Sequence, residues 1–212
     1  MKTDNLISAL AADLPNRPMS PSRALATALM VSLPIASGLL LYVVQVRPDI
    51  WSALQTPGFD FKLAFLAILS LSSLWLVSRS SRPGTSPRPA LIALAASFSL
   101  LLAALVLELL VVPSAFWMPR LIGNMSLQCT LLIPTMAIAP LAAILFAMRA
   151  GAPDNTTAAG AAAGLLAGAI GATFYAPHCP NDSPLYIAVW YLIGIAAVTV
   201  VGSLIGRFTL RW

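Results

Sequence analysis

Charge is what this sequence has least of. Of its 212 residues, 9% are Asp, Glu, Lys or Arg and 59% are apolar; a soluble domain carries roughly 25% and 45–50%. So few charged side chains cannot coat a globule of this size with a solvated surface, which excludes a cytoplasmic enzyme and a disordered regulator. Cysteine occurs twice, which excludes a disulfide-dense secreted scaffold. Histidine occurs once, too few for a bis-histidine haem site. There is no Gly-rich phosphate loop, no His-Glu-x-x-His and no Gly-x-Ser-x-Gly turn. The short cytoplasmic loops leave no room for a catalytic domain, so the chain reads as non-enzymatic, with no cofactor.

Long apolar runs are what it has instead, and the mean hydropathy is +0.88. Six stand out: residues 24–46, 61–77, 90–112, 125–148, 158–176 and 185–205. A helix needs about 20 apolar residues to cross roughly 30 Å of hydrocarbon, and a barrel strand would alternate over about ten. The runs are too continuous for strands. They predict an all-α, polytopic membrane protein, a bundle of six transmembrane helices embedded in a lipid bilayer.

The basic residues predict its orientation, because short basic loops stay on the cytoplasmic side. With the N-terminus inside, the cytoplasmic segments hold Lys2, Arg17, Arg23, Arg79, Arg82, Arg88, Arg149, Arg207 and Arg211, and the outer ones only Arg47, Lys62 and Arg120. Both termini are therefore expected in the cytoplasm of a bacterial inner membrane. Trp51, Trp117 and Trp190 fall near outer ends of the runs, as interfacial aromatics do. The net charge of +5 is thus a topology signal, and no direct contact with nucleic acid is inferred from it.

Residues 1–23 carry Lys2, Asp4, Asp13, Arg17 and Arg23 and no apolar h-region, so no cleavable signal peptide is expected. They form a cytoplasmic N-terminal segment, and residues 24–212 form the membrane domain. Within the segment, Thr3 or Asp4 can cap a helix that Pro15 limits. Leu6, Ile7, Leu10 and Leu14 recur on one face of it. A helix of about eleven residues is marginal alone in water. It can dock into a groove on a cytoplasmic protein, lie on the bilayer surface, or pack on its own bundle.

Cys129 falls just inside the outer end of the fourth run, and Cys179 in outer loop five beside His178. Both thiols thus face one compartment, an oxidising one in bacteria. They can form a reversible disulfide, or join His178 as soft-metal ligands. A permanent bridge, or two unrelated core residues, fits the positions as well. Glu108 is the acidic residue well inside a run, and ionisable groups there are candidates for proton or ion pathways. It lies about one turn from the outer end, where snorkelling or a bond to a neighbouring helix explains it too.

Gly160, Gly164 and Gly168, and likewise Gly202 and Gly206, recur at a spacing that lets helix backbones approach, inside the bundle or across a homo-oligomer face. Pro34, Pro134 and Pro140 lie inside runs and predict kinks.

The opening Lys2-Thr3-Asp4-x-Leu6-Ile7-x-x-Leu10-Ala11-x-Asp13 followed by Pro15, the six runs, a cysteine at the head of the fourth, and His178-Cys179 followed by Trp190-Tyr191 resemble the NrsF-type membrane proteins. These are anti-sigma factors, negative regulators of extracytoplasmic-function sigma factors of the sigma-F type in proteobacteria. The resemblance covers essentially the whole chain. It implies that Cys129 and Cys179 sense oxidant or metal stress. It also implies that Asp4, Leu6, Ile7, Leu10, Ala11 and Asp13 contact the sigma factor, and it lends His178 less support. The rival reading is a small transporter or ion channel using Glu108, Gln128 and the prolines; a third is a purely structural membrane subunit.

Overall fold

The computed structural model describes residues 3, 7, 8 and 19–211. Six helices are long and apolar enough to cross a membrane: α1 (Pro21–Val44), α3 (Pro57–Ser80), α4 (Arg88–Val111), α6 (Ser126–Met148), α7 (Thr156–Tyr175) and α8 (Pro184–Thr209). Two short helices, α2 (Ile50–Ala53) and α5 (Trp117–Ile122), fill the first and third connections. Among the described residues there is no strand.

Local chemistry sets the ends. Proline stands in the first turn of α1, α3, α4 and α8, where its missing N–H has no intrahelical partner to lose. Asn155 caps α7, its side chain accepting from the Ala158 N–H at 2.9 Å. The observed helices α3 and α8 run past the apolar runs by several residues at one or both ends. Prolines and polar residues in those turns satisfy helix geometry while lowering the hydropathy that marks a run. Pro34 lies within α1, and Pro134 and Pro140 within α6.

α7 is the axis of the bundle: 67% of its apolar window is buried, against 22% for α4 at the periphery. Small residues make that position available. A Cβ on Gly160 would sit 2.4 Å from the Gly202 carbonyl oxygen, and one on Gly164 2.5 Å from that of Val198. The two glycine series therefore meet each other across α7 and α8, which settles them as a packing face within the chain. On a third side, a Cβ on Gly171 would meet the Ile133 carbonyl oxygen of α6 at 2.6 Å. The outward faces carry large exposed apolar side chains, among them Leu110, Val111, Ile92 and Phe146.

Hydrogen bonds define the two ends of the bundle. At one, Ala152 donates its N–H to the Ser81 carbonyl at 3.2 Å, Gly84 N–H reaches Asp154 at 3.2 Å, and Arg82 donates to Ser22 at 2.7 Å. At the other, connections one, three and five gather around Cys179. Gly123 ends α5 there with φ +56°, and a Cβ on it would lie 2.5 Å from the Tyr186 ring. Only glycine allows both the turn and the ring beside it.

Candidate functional site

Cys129 lies in the first turn of α6, and Cys179 in the connection between α7 and α8. The fold brings them together: their sulfurs are 3.8 Å apart, both side chains are fully buried, and both are free thiols. A disulfide has its sulfurs about 2.05 Å apart, so bonding requires an approach of only about 1.7 Å.

Three tyrosines surround the pair. Cys129 donates to the Tyr175 hydroxyl at 3.3 Å and shares a 2.9 Å hydrogen bond with that of Tyr186. The Tyr191 ring packs on both, with centroids 5.8 Å from Tyr175 and 6.4 Å from Tyr186. All three rings are fully buried. Three of the four tyrosines in the sequence thus converge on two sulfur atoms.

The second component is a buried charge cluster on the backbone of Cys179. Lys62, from the second turn of α3, is fully buried and donates to the Cys179 carbonyl at 2.9 Å. It forms an ion pair with Asp182 and lies 5.1 Å from the Phe59 ring centroid. Arg47, just beyond α1, donates to the Asp182 carboxylate at 2.9 Å and to the Cys179 carbonyl at 3.4 Å. Its other edge grips Asp49 at 2.7 and 2.8 Å, the two-pronged geometry in which guanidinium and carboxylate pair best. These bonds hold the Arg47 guanidinium above its usual range and Asp49 down at about 2.

The Cys129 hydrogen bond, reinforced by the Lys62 ammonium against the opposing effect of burial, holds the Cys179 thiol down at about 6. Both effects favour the thiolate at Cys179 over Cys129, which makes Cys179 the better nucleophile of the pair.

His178 is turned aside. Its Nδ1 donates to the Gln45 carbonyl at 2.8 Å, and its ring packs on Tyr175 at 5.6 Å. Among the described residues no group of three His, Cys, Asp or Glu side chains converges as metal ligands would. Ile7 is helical and exposed. The other residues read as sigma-factor contacts, Asp4, Leu6, Leu10, Ala11 and Asp13, lie outside the described residues. Glu108 is bonded to a neighbouring helix: it accepts from Ser183 Oγ at 2.8 Å, from the Leu185 N–H at 2.9 Å and from Arg120 at 2.8 Å. Those bonds leave it committed to the α4–α8 junction.

In the sequence Lys62 was legible only as a charge counted on the outer side; Tyr191 stood only beside Trp190 in the resemblance, and Tyr175 and Tyr186 were not singled out. One signal pointed further. Lys62 is one of just two lysines, and it lies where an apolar helix begins.

The family described as NrsF, negative regulator of sigma F, matches this chain over residues 10–212. The chain is 35% identical over 215 aligned residues to the anti-sigma-F factor NrsF of Caulobacter vibrioides (strain NA1000 / CB15N), with the whole of both chains covered. It is 37% identical over 219 residues to the probable anti-sigma-F factor NrsF of Azospira oryzae (strain ATCC BAA-33 / DSM 13638 / PS), again over both full lengths. Both relatives are named as regulators, not enzymes. No solved structure matches.

Proposed function

Since the chain belongs to the family of negative regulators of sigma F, we propose that it is an integral inner-membrane anti-sigma factor that holds an extracytoplasmic-function sigma factor and releases it when Cys129 and Cys179 are oxidised. The observation that carries the sensing half is the pair itself. Two thiols from separate elements face each other at 3.8 Å, ringed by tyrosines and anchored on a buried lysine. Disulfide formation, not a three-ligand metal site, is the reading taken, because His178 is bonded to Gln45.

The chemistry is a two-electron oxidation. The Cys179 thiolate attacks a peroxide oxygen, forming a sulfenic acid as the O–O bond breaks and water leaves after proton uptake. The Cys129 thiol then attacks the Cys179 sulfur, the S–S bond forms, and the sulfenic oxygen leaves as a second water. Two thiols and one hydrogen peroxide thus give one disulfide and two waters.

The six apolar helices and their apolar outward faces support the membrane location. The excess of basic residues in connections two and four and near both termini supports a cytoplasmic placement of those termini. The sigma factor would then meet residues 1–23, with Asp4, Leu6, Ile7, Leu10, Ala11 and Asp13 as contacts. Each 1.4 kcal/mol is tenfold in affinity, so a differential of about 3–5 kcal/mol between the two packings frees most of the partner.

Two experiments test this. Deleting residues 2–15 is expected to abolish capture of the sigma factor while membrane insertion persists; unchanged capture removes that segment from the interface. Cys129→Ser and Cys179→Ser are each expected to abolish the transcriptional response to peroxide. A full response in both variants leaves the thiols as structure only.

A further inference from the structure

We propose that Arg47 is the positioning residue that couples the cysteine pair to α1, so that closing the disulfide alters how the helix leading to the N-terminal segment is held. The proposal rests on the thiol-pair reading above and extends it to a route.

The far end of α1 is fastened to the cysteine connection by several polar contacts. The Arg47 N–H donates to the Pro177 carbonyl at 3.0 Å. Its guanidinium reaches both the Cys179 carbonyl and Asp182, and the Gln45 carbonyl accepts from His178. Three consecutive features of the chain leaving α1 are thus bound to residues 177–182. The backbone there is set for this purpose. The last turn of α1 widens into a π-helical turn at Leu40–Val44, and Gln45 follows with φ +66° and ψ 152°. A non-glycine residue in that region is strained and persists only where its surroundings hold it. The holding groups are on the cysteine connection.

Directional hydrogen bonds of this kind fail over displacements of several tenths of an ångström. Apolar packing tolerates such shifts better. When the sulfurs close by about 1.7 Å, Cys179 moves relative to Lys62 on α3 and Arg47 just beyond α1, which both hold its carbonyl. Lys62 is buried among Phe59 and Tyr191 on α3 and α8. Arg47 lies at the bundle edge with a second, exposed partner in Asp49, and can let go of Asp182 while keeping a counter-ion. The contact most able to break is therefore the one that fastens α1. At its other end α1 begins at Pro21, directly after residues 1–20.

The test uses the purified full-length protein in detergent, reduced or oxidised with hydrogen peroxide. Disulfide formation is read by intact mass, and the start of α1 by the rate of tryptic cleavage after Arg23, in the first turn of that helix. In the wild type, oxidation is expected to change that rate by about fivefold or more. In Arg47→Met the disulfide still forms, which shows that the fold is intact, but the two cleavage rates become equal. Asp182→Asn, cutting the same link from the other side, gives a second variant with the same expectation. A wild-type-sized difference retained in either variant that forms the disulfide overturns the proposal. A wild-type disulfide that forms without changing cleavage also overturns it, and leaves the thiol chemistry standing. If the wild-type disulfide does not form, both readings fall.

Discussion

The Glu108 carboxylate receives the Ser183 hydroxyl on both of its oxygens, at 2.8 and 2.9 Å, and so joins the end of α4 to the start of α8. With the Leu185 N–H and Arg120 added, a buried acid in an apolar helix has three hydrogen-bond donors, one of them a first-turn N–H of α8. An anion at a helix N-terminus is favoured by the unpaired N–H groups and the dipole there.

Glu108→Ala is therefore expected to lower stability by about 2 kcal/mol, read as a drop in Tm in detergent. Glu108→Gln, which keeps the shape and loses the charge, is expected to cost less. Proton flux in proteoliposomes is expected to be the same for wild type and both variants; flux that vanishes with the carboxylate revives the transporter reading.

Thiol reactivity has a definite sign with pH. Alkylation of Cys179 by a small neutral reagent such as iodoacetamide is expected to rise with pH and level off above about 6. Cys129→Ala removes the main hydrogen bond to the thiolate and should move the midpoint up toward the ordinary 9.0; Lys62→Met should move it the same way by less. Because the folded value lies below the ordinary one, the ionised thiol favours the folded protein fully above pH 9.0. That contribution is lost as pH falls through about 6. A flat rate profile between pH 5 and 9 would contradict the placement of Lys62 and Cys129 around this sulfur.

The glycine seam between α7 and α8 gives a paired test. Gly202→Ala places a Cβ 2.6 Å from the Gly160 carbonyl oxygen, where backbone has to give way, and is expected to cost about 1–3 kcal/mol. Gly38→Ala in α1 meets nothing within 4 Å. It should be neutral or slightly stabilising, because alanine is the better helix former. Equal Tm values for the two variants would contradict the seam.

Sidedness can be read without the buried thiols. In a background of Cys129→Ser and Cys179→Ser, Ser52→Cys in the first connection should react with an impermeant maleimide in intact cells. Ser86→Cys in the second should react only after the cells are opened. Both positions are exposed. The reverse pattern inverts the proposed topology.

The helices were legible because burial in hydrocarbon demands long apolar runs, and a run is a property of neighbouring residues. The glycine spacings were legible too, as surfaces that permit close approach; their mutual contact was not, since spacing on one helix does not name the helix it meets. The meeting of Cys129 and Cys179 depends on how α6 and α7 pack, which no local pattern records. Lys62 is the clearest case. One charge near the head of a run reads as a boundary marker, and only the position of Asp182 and the Cys179 carbonyl turns it into an interior ion pair. Asp182 and Arg47 were hidden for the same reason.

The three tyrosine rings around the sulfurs have a consequence of scale. Walled in on all sides, Cys129 and Cys179 admit a visitor of two or three heavy atoms more readily than glutathione or a protein disulfide. The enclosure filters by girth before any chemistry begins, so a slight, uncharged oxidant is expected to reach the sulfurs sooner than a bulky disulfide.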